Sequence, residues 1–189
     1  LIPGVTKDGS ARTVTVRVTD RRDGTLRADI VRDLSDPVTF RNTYTATGDV
    51  TFTGSKTLDG RPLNANDKFT WTVTEDGATV ATGANHGTGT VTFTRISYTL
   101  ADVGKHTYTV TENASGLKGV TADPKPRTVT VLVSDNGDGT LKAELDPSAS
   151  DALAFVNPYQ ATGSIAFVGA KSILGRDLNA ADQFTFSVT

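Results

Sequence analysis

The sequence predicts an all-β fold of antiparallel sandwich type, on three observations: residue usage, the period of the hydrophobic pattern and the placement of turn dipeptides. Threonine supplies 32 of the 189 residues and valine 19, against only three glutamates, Glu75, Glu112 and Glu144. Side chains branched at Cβ pack well on a pleated surface and lose rotamer freedom in a helix. Polar and apolar residues alternate in TVTVRV at 13–18, TWTV at 70–73, TVTFT at 90–94, TYTVTE at 107–112 and TVTVLV at 128–133. This period of two marks strands with one face buried. Between the runs stand Asp23-Gly24, Asp59-Gly60, Asp76-Gly77, Asn136-Gly137 and Asp138-Gly139, pairs that turn a chain back at little steric cost. No window sustains a 3.6 period, so almost no helix is expected.

Composition removes several function classes. There is no cysteine and no methionine, which excludes disulfides, thiol catalysis and cysteine metal sites. Without methionine, Leu1 is read as lying inside a longer chain, with any export signal outside the sequence. Nineteen Lys and Arg against 21 Asp and Glu leave a net charge of -2, which attracts neither nucleic acid nor an anionic membrane. No stretch approaches the roughly 20 apolar residues of a membrane span. No cofactor, metal or enzymatic turnover is expected.

Compared with itself at an offset of 115 residues, the chain is identical at 37 of 74 positions without a gap. GVT at 4–6 recurs at 119–121, RTVTV at 12–16 at 127–131 and DGTL at 23–26 at 138–141. Phe40, Asn42 and Tyr44 match Phe155, Asn157 and Tyr159; Phe52, Gly54 and Lys56 match Phe167, Gly169 and Lys171; Gly60, Arg61, Leu63 and Asp67 match Gly175, Arg176, Leu178 and Asp182. A repeat of this period organises the whole chain. One complete unit runs over 45–159, preceded by the C-terminal part of another (1–44) and followed by the opening of a third (160–189). Asn157 and Phe167 are separated by nine residues that include Pro158 and Gly163, a short joint that favours a stiff rod. Units in series enter at one pole and leave at the other, so the first and last strands of each should run parallel and bear any tension.

Strand parity locates three polar residues on buried faces. Lys56 shares parity with Val50, Phe52 and Leu58; Asn157 with Leu153, Phe155 and Tyr159; Glu112 with Tyr108 and Val110. Burying such groups unpaired costs several kcal/mol each, and loss of water disfavours the charged form of an amine and of a carboxyl alike. A neutral Lys56 amine can attack the side-chain carbonyl carbon of Asn157. A protonated Glu112 is expected to polarise the oxygen and pass a proton to the departing ammonia. The product is an amide crosslink with no buried charge, and proximity supplies much of its rate. Among comparable lysines only Lys56 and Lys171 recur at matching positions, and among asparagines only Asn42 with Asn157 and Asn64 with Asn179. Asn64 sits in the turn-like NAND stretch and reads as a local cap. Glu112 has no repeat partner within the sequence, so parity alone selects it.

These residues also carry a family resemblance. AFVNPY at 154–159, with GDVTFTGSKTLDGRPL at 48–63, DKFTWTVTE at 67–75, GTVTFTRISYTLADVGKHTYTVTE at 89–112 and RTVTVLVSDNGDGTL at 127–141, resembles the streptococcal pilin isopeptide-linkage repeat. The resemblance covers essentially the whole chain and implies tandem immunoglobulin-like β-sandwiches of pilin type in a rod-like array. It further implies a self-generated bond from Lys56 to Asn157, assisted catalytically by Glu112. Asn42 and Lys171 match the same crosslink positions in the incomplete units. Extracellular location on a Gram-positive cell surface is implied, with neighbouring repeats or subunits of one fibre as partners and no nucleic acid. Thiol-free crosslinking suits an exported protein.

Plainer alternatives stand beside each assignment: an edge lysine whose parity breaks at Gly54, a turn asparagine before Pro158, a glutamate cap before Asn113. His86 and His106 lie 20 residues apart without an acidic cluster and read as surface or packing residues. DRRDG at 20–24 and DNGDG at 135–139 read as hairpin turns, since a calcium loop needs twelve residues and a terminal Glu. Asn113-Ala114-Ser115 is a glycosylation sequon of little weight, and GTGT at 87–90 opens no helix to hold a phosphate. An alternative function is an adhesin binding module whose loops, 76–90 or 113–126, contact a host glycan or protein. Trp71 falls within a strand pattern and leaves those loops without an aromatic cluster.

Overall fold

The computed structural model describes residues 2–31 and 38–189; positions 1 and 32–37 of the 1–44 segment lie outside them. Contacts divide the chain into two compact units, Leu1–Tyr159 and Gln160–Thr189. In the first unit the strands are β1 (Val5–Thr6), β2 (Val16–Asp20), β3 (Leu26–Ile30), β4 (Thr43–Tyr44), β5 (Thr47–Val50), β6 (Thr53–Asp59), β7 (Thr70–Glu75), β8 (Ala78–Ala84), β9 (Thr90–Phe93), β10 (Ile96–Thr99), β11 (Gly104–Glu112), β12 (Arg127–Asp135), β13 (Leu141–Leu145) and β14 (Ala154–Pro158). Two three-residue 3-10 turns, Leu100–Asp102 and Pro147–Ala149, are the helical content of the described residues.

Eight strands form one sheet in the order β13-β12-β11-β7-β8-β9-β6-β14, while β5 pairs with β10. The first strand of the 45–159 segment is split. Its earlier half, β5, lies against β13, where Gly48 packs on Leu141, and its later half, β6, pairs with β9 and β14 at the opposite sheet edge. That split wraps the sheet around one core, which contains Phe52, Trp71, Tyr108, Val110, Val129, Val131 and Phe155. Trp71 lies between Phe93 and Phe155, with ring centroids 6.4 and 5.2 Å away. Last strand and first strand run parallel, in register from Ala154 opposite Ser55 to Pro158 opposite Asp59. At Gly54 the strands come so close that a Cβ would stand 2.5 Å from the Leu153 carbonyl oxygen, so the glycine is needed for this pairing.

The runs at 70–73, 90–94, 107–112 and 128–133 form β7, β9, β11 and β12, and the 13–18 run contributes to β2. Both Asp-Gly turns at 20–24 and 135–139 close hairpins, with Arg21 donating to Thr25 and Asn136 to Thr140. One expectation is corrected: the 76–90 segment is not a single loop, because β8 runs through its middle as a central strand between β7 and β9. Its small residues, ATVATGA, hide the period-two signal. The β2–β3 hairpin buries neither face, and Val16, Val18 and Leu26 are exposed. Gln160–Thr189 has no regular strand; Arg176 pairs with Asp182, and Ile165, Phe167 and Phe186 are exposed.

His106, on β11, sits between acceptors. Nδ1 faces the Glu75 carboxylate at 2.7 Å and Nε2 faces the Asp102 carbonyl oxygen at 2.7 Å, while the hydroxyls of Tyr98 and Tyr108 bond to each other beside it at 2.8 Å. A carbonyl only accepts, and a carboxylate accepts too, so the doubly protonated ring is the form that donates to both partners. Burial opposes this charge, but the Asp102 carbonyl and Glu75 outweigh it and raise His106 above its ordinary 6.5. The resulting stabilisation is complete below the unfolded-state value and is lost as pH rises through the higher folded-state value. Thermal unfolding between about pH 5.5 and 8.5 should therefore show falling stability in the wild type and a flatter profile in His106→Gln.

Candidate functional site: a buried lysine, glutamate and asparagine

Two paired strands, β6 and β14, and a third, β11, separated from them in the sheet order by β7, β8 and β9, supply the site. Lys56 projects inward from β6, Asn157 from β14 and Glu112 from the end of β11, where it stands opposite Trp71. Relative exposures are 0% for Lys56, 0% for Asn157 and 6% for Glu112, so parity places all three correctly. Phe69 covers the amine, with Nζ 4.5 Å from its ring centroid, and Trp71 and Phe155 pack together beside it. Lys56 Nζ donates to Glu112 Oε2 at 2.9 Å, and Asn157 Nδ2 donates to Glu112 Oε1. Burial is the main influence on Lys56 and lowers it below the usual lysine value, against the pull of Glu112.

The carboxamide oxygen has a different partner from the one expected. Asn157 Oδ1 accepts from the backbone N–H of Asp123 at 3.0 Å. A backbone N–H can only donate, so it fixes the carboxamide with its oxygen towards Asp123 and its nitrogen towards Glu112. Glu112 thus contacts both nitrogens that an amide transfer between Lys56 and Asn157 would exchange, and an oxyanion developing on Oδ1 would meet the Asp123 amide. Asp123 is itself held. Its carboxylate accepts from Lys125 N at 2.9 Å and from Arg127 Nη2 at 2.7 Å, and Arg127 also reaches the Ala154 carbonyl at 2.9 Å and lies over Phe155. One arginine therefore ties the 113–126 segment to the last strand.

Asp123 and Arg127 were not among the residues picked out by parity, because they act through a main-chain donor and through a loop. The signal for them is the 115-residue repeat. Asp8 and Arg12 reproduce the arrangement: Asp8 N donates to Asn42 Oδ1 at 3.0 Å, Arg12 pairs with Asp8 at 2.8 Å, and its guanidinium lies 5.2 Å from the Phe40 ring centroid. Asn42 is exposed there and occupies the repeat position of Asn157. Lys171, in the second unit, lies 4.7 Å from the Phe184 ring centroid, as Lys56 lies on Phe69. The structure gathers Lys56, Glu112 and Asn157 into one cluster; Asn42 belongs to the first compact unit and Lys171 to the second. Asn64 behaves as the local cap expected, accepting from Asn66 N at 2.9 Å. Among the described residues no group of three or more metal-ligating side chains converges, and no helix is long and apolar enough to cross a membrane.

Comparison with known proteins returns one family. A family model described as FctA, Spy0128-like isopeptide containing domain, matches residues 2–45 and 52–160. No curated protein sequence matches the chain. Among solved structures the chain is similar to the major pilin protein (T-13) from Streptococcus pyogenes serotype GAS131465, at 19% identity and a TM-score of 0.39 over 62% of this chain and 55% of that one. The chain therefore spans little more than half the length of that pilin.

Proposed function

The chain belongs to the Spy0128-like isopeptide containing domain family, and from that premise we propose that it is a structural module of a bacterial surface fibre, a pilus or adhesin stalk, closed by a Lys56–Asn157 isopeptide bond. The observation that carries this reading is the contact of both reacting nitrogens with the two oxygens of one buried carboxyl group. A salt bridge alone explains the site poorly, since desolvating two charges often costs more than their attraction returns.

The residues assign the steps. Lys56 Nζ, neutral, attacks Cγ of Asn157 and forms a C–N bond, with negative charge developing on Oδ1 against the Asp123 amide. Glu112 takes a proton from the incoming nitrogen at Oε2 and delivers one at Oε1 to the leaving nitrogen. The Cγ–Nδ2 bond breaks and ammonia departs, so one amine and one carboxamide become one secondary amide and ammonia. No cofactor and no turnover are involved, and the product is the protein itself. In this reading 45–159 is the complete repeat unit, and 1–44 and 160–189 are parts of its neighbours. The partners are other units or subunits of the same fibre, outside the cell and anchored at its surface. The parallel β6–β14 pair supports a tensile role, because load entering on the first strand passes through the crosslink to the last. The test is mass spectrometry of the chain, which should be lighter than its sequence by one ammonia.

A further inference from the structure

The segment before Thr45 and the unit after it meet at one tyrosine. Tyr44, on β4, pairs with Val5 of β1, and its hydroxyl donates to Asp135 Oδ1 at 2.8 Å while accepting from Gly139 N at 3.1 Å. Asp135 and Gly139 bracket the turn between β12 and β13. The chain that crosses the joint is bonded on both sides: Thr45 N donates to Gly4 O at 2.9 Å, and Thr47 N to Gly139 O at 3.2 Å, with Ala46 buried between them. Gly4 and Gly139 face each other at the closest point. Both have positive φ, +73° and +89°, and a Cβ on either would lie within 2.8 Å of the other's Cα.

Each part of this contact recurs in the repeat. Tyr44 matches Tyr159, and Asp135, Asp138, Gly139 and Thr140 match Asp20, Asp23, Gly24 and Thr25. The Asp20–Thr25 turn has the same internal bonds, with Arg22 N on Asp20 at 2.8 Å and Thr25 N on Asp23 at 2.9 Å, as Gly137 N is on Asp135 at 2.9 Å and Thr140 N on Asp138 at 3.0 Å. Gly24 keeps a positive φ with no atom near its Cβ position, so the turn takes this shape without a tyrosine against it. A preformed acceptor and donor pair costs little ordering when its partner arrives.

We propose that Tyr44 and the Asp135–Gly139 turn are a plug and socket that fix each repeat unit against the next, the occupant of every socket being the terminal tyrosine of the preceding unit of the same chain. Because the plug lies at one pole of a unit and the socket at the other, the contact is head-to-tail and propagates along an array without closing. It is independent of the Lys56–Asn157 bond, which lies inside a unit.

Hydrogen–deuterium exchange on the 1–189 chain tests the joint. In the wild type the Gly139 and Thr47 amides should be protected. Tyr44→Phe, which keeps the ring and removes both hydroxyl bonds, should speed Gly139 exchange by roughly tenfold and leave the Val129 and Val131 amides unchanged. A second variant, Gly4→Ala, places a methyl in the contact and should expose Gly139 and Thr47 together while Trp71 fluorescence remains that of a buried indole. Gly139 exchanging at the solvent rate in the wild type, or unaltered exchange in both variants, would overturn the proposal.

Discussion

Replacing Lys56 with methionine should lower the unfolding free energy by about 5 kcal/mol or more. The proposed bond closes a loop of 102 residues, positions 56 to 157 inclusive, and loop closure on that scale removes about 4.7 kcal/mol of denatured-state entropy. The stranded Glu112 carboxyl adds its own penalty. The two contributions separate in the triple variant Lys56→Met, Glu112→Leu, Asn157→Leu, which removes every polar partner at once. Apolar replacement of a merely ionic buried cluster is neutral or stabilising by about 1–4 kcal/mol. Loss of a covalent loop leaves the triple variant still several kcal/mol below the wild type. Denaturation followed through Trp71, the sole tryptophan and fully buried, reads the difference, and a triple variant as stable as the wild type would refute the crosslink.

Pulling the chain from its ends should give the second large effect. Load enters on β5 and β6 and leaves on β14, and the parallel register from Ser55 to Asp59 sets those strands in shear. With Lys56 bonded to Asn157, the 100 intervening residues cannot extend at any force that leaves covalent bonds intact. Lys56→Met should release them in one step, adding roughly 35 nm of contour. Single-molecule extension distinguishes the cases, and a wild type that yields the same step as the variant contradicts a tension-bearing bond.

What the amino-acid sequence disclosed, and what it hid, follows from the kind of signal each feature leaves. Period-two alternation exposes strands with one buried face, so β7, β9, β11 and β12 were legible, as was the inward phase of Lys56, Glu112 and Asn157. β8 was not, since ATVATGA carries few large side chains and its pairing with β7 shifts register between Val73 and Thr74. Parity also says which side chains meet but not which atoms. It brought Glu112 to Asn157, and the acid–base argument assigned Glu112 the oxygen, whereas the Asp123 main-chain N–H, invisible to side-chain reasoning, claims that oxygen and turns the carboxamide round. The joint at Tyr44 escaped for a similar reason: it is built from a hydroxyl, a turn amide and two facing glycines, none of which alters hydrophobic periodicity.

Intact mass bears most directly on the crosslink. The wild-type 1–189 chain should weigh one ammonia less than its sequence, with the missing mass located in a branched peptide that joins Lys56 to Asn157 after proteolysis. Glu112→Ala, which removes the proton carrier between the two nitrogens, should recover the full sequence mass. A folded wild type of full mass, with Lys56 and Asn157 in separate peptides, would contradict the account.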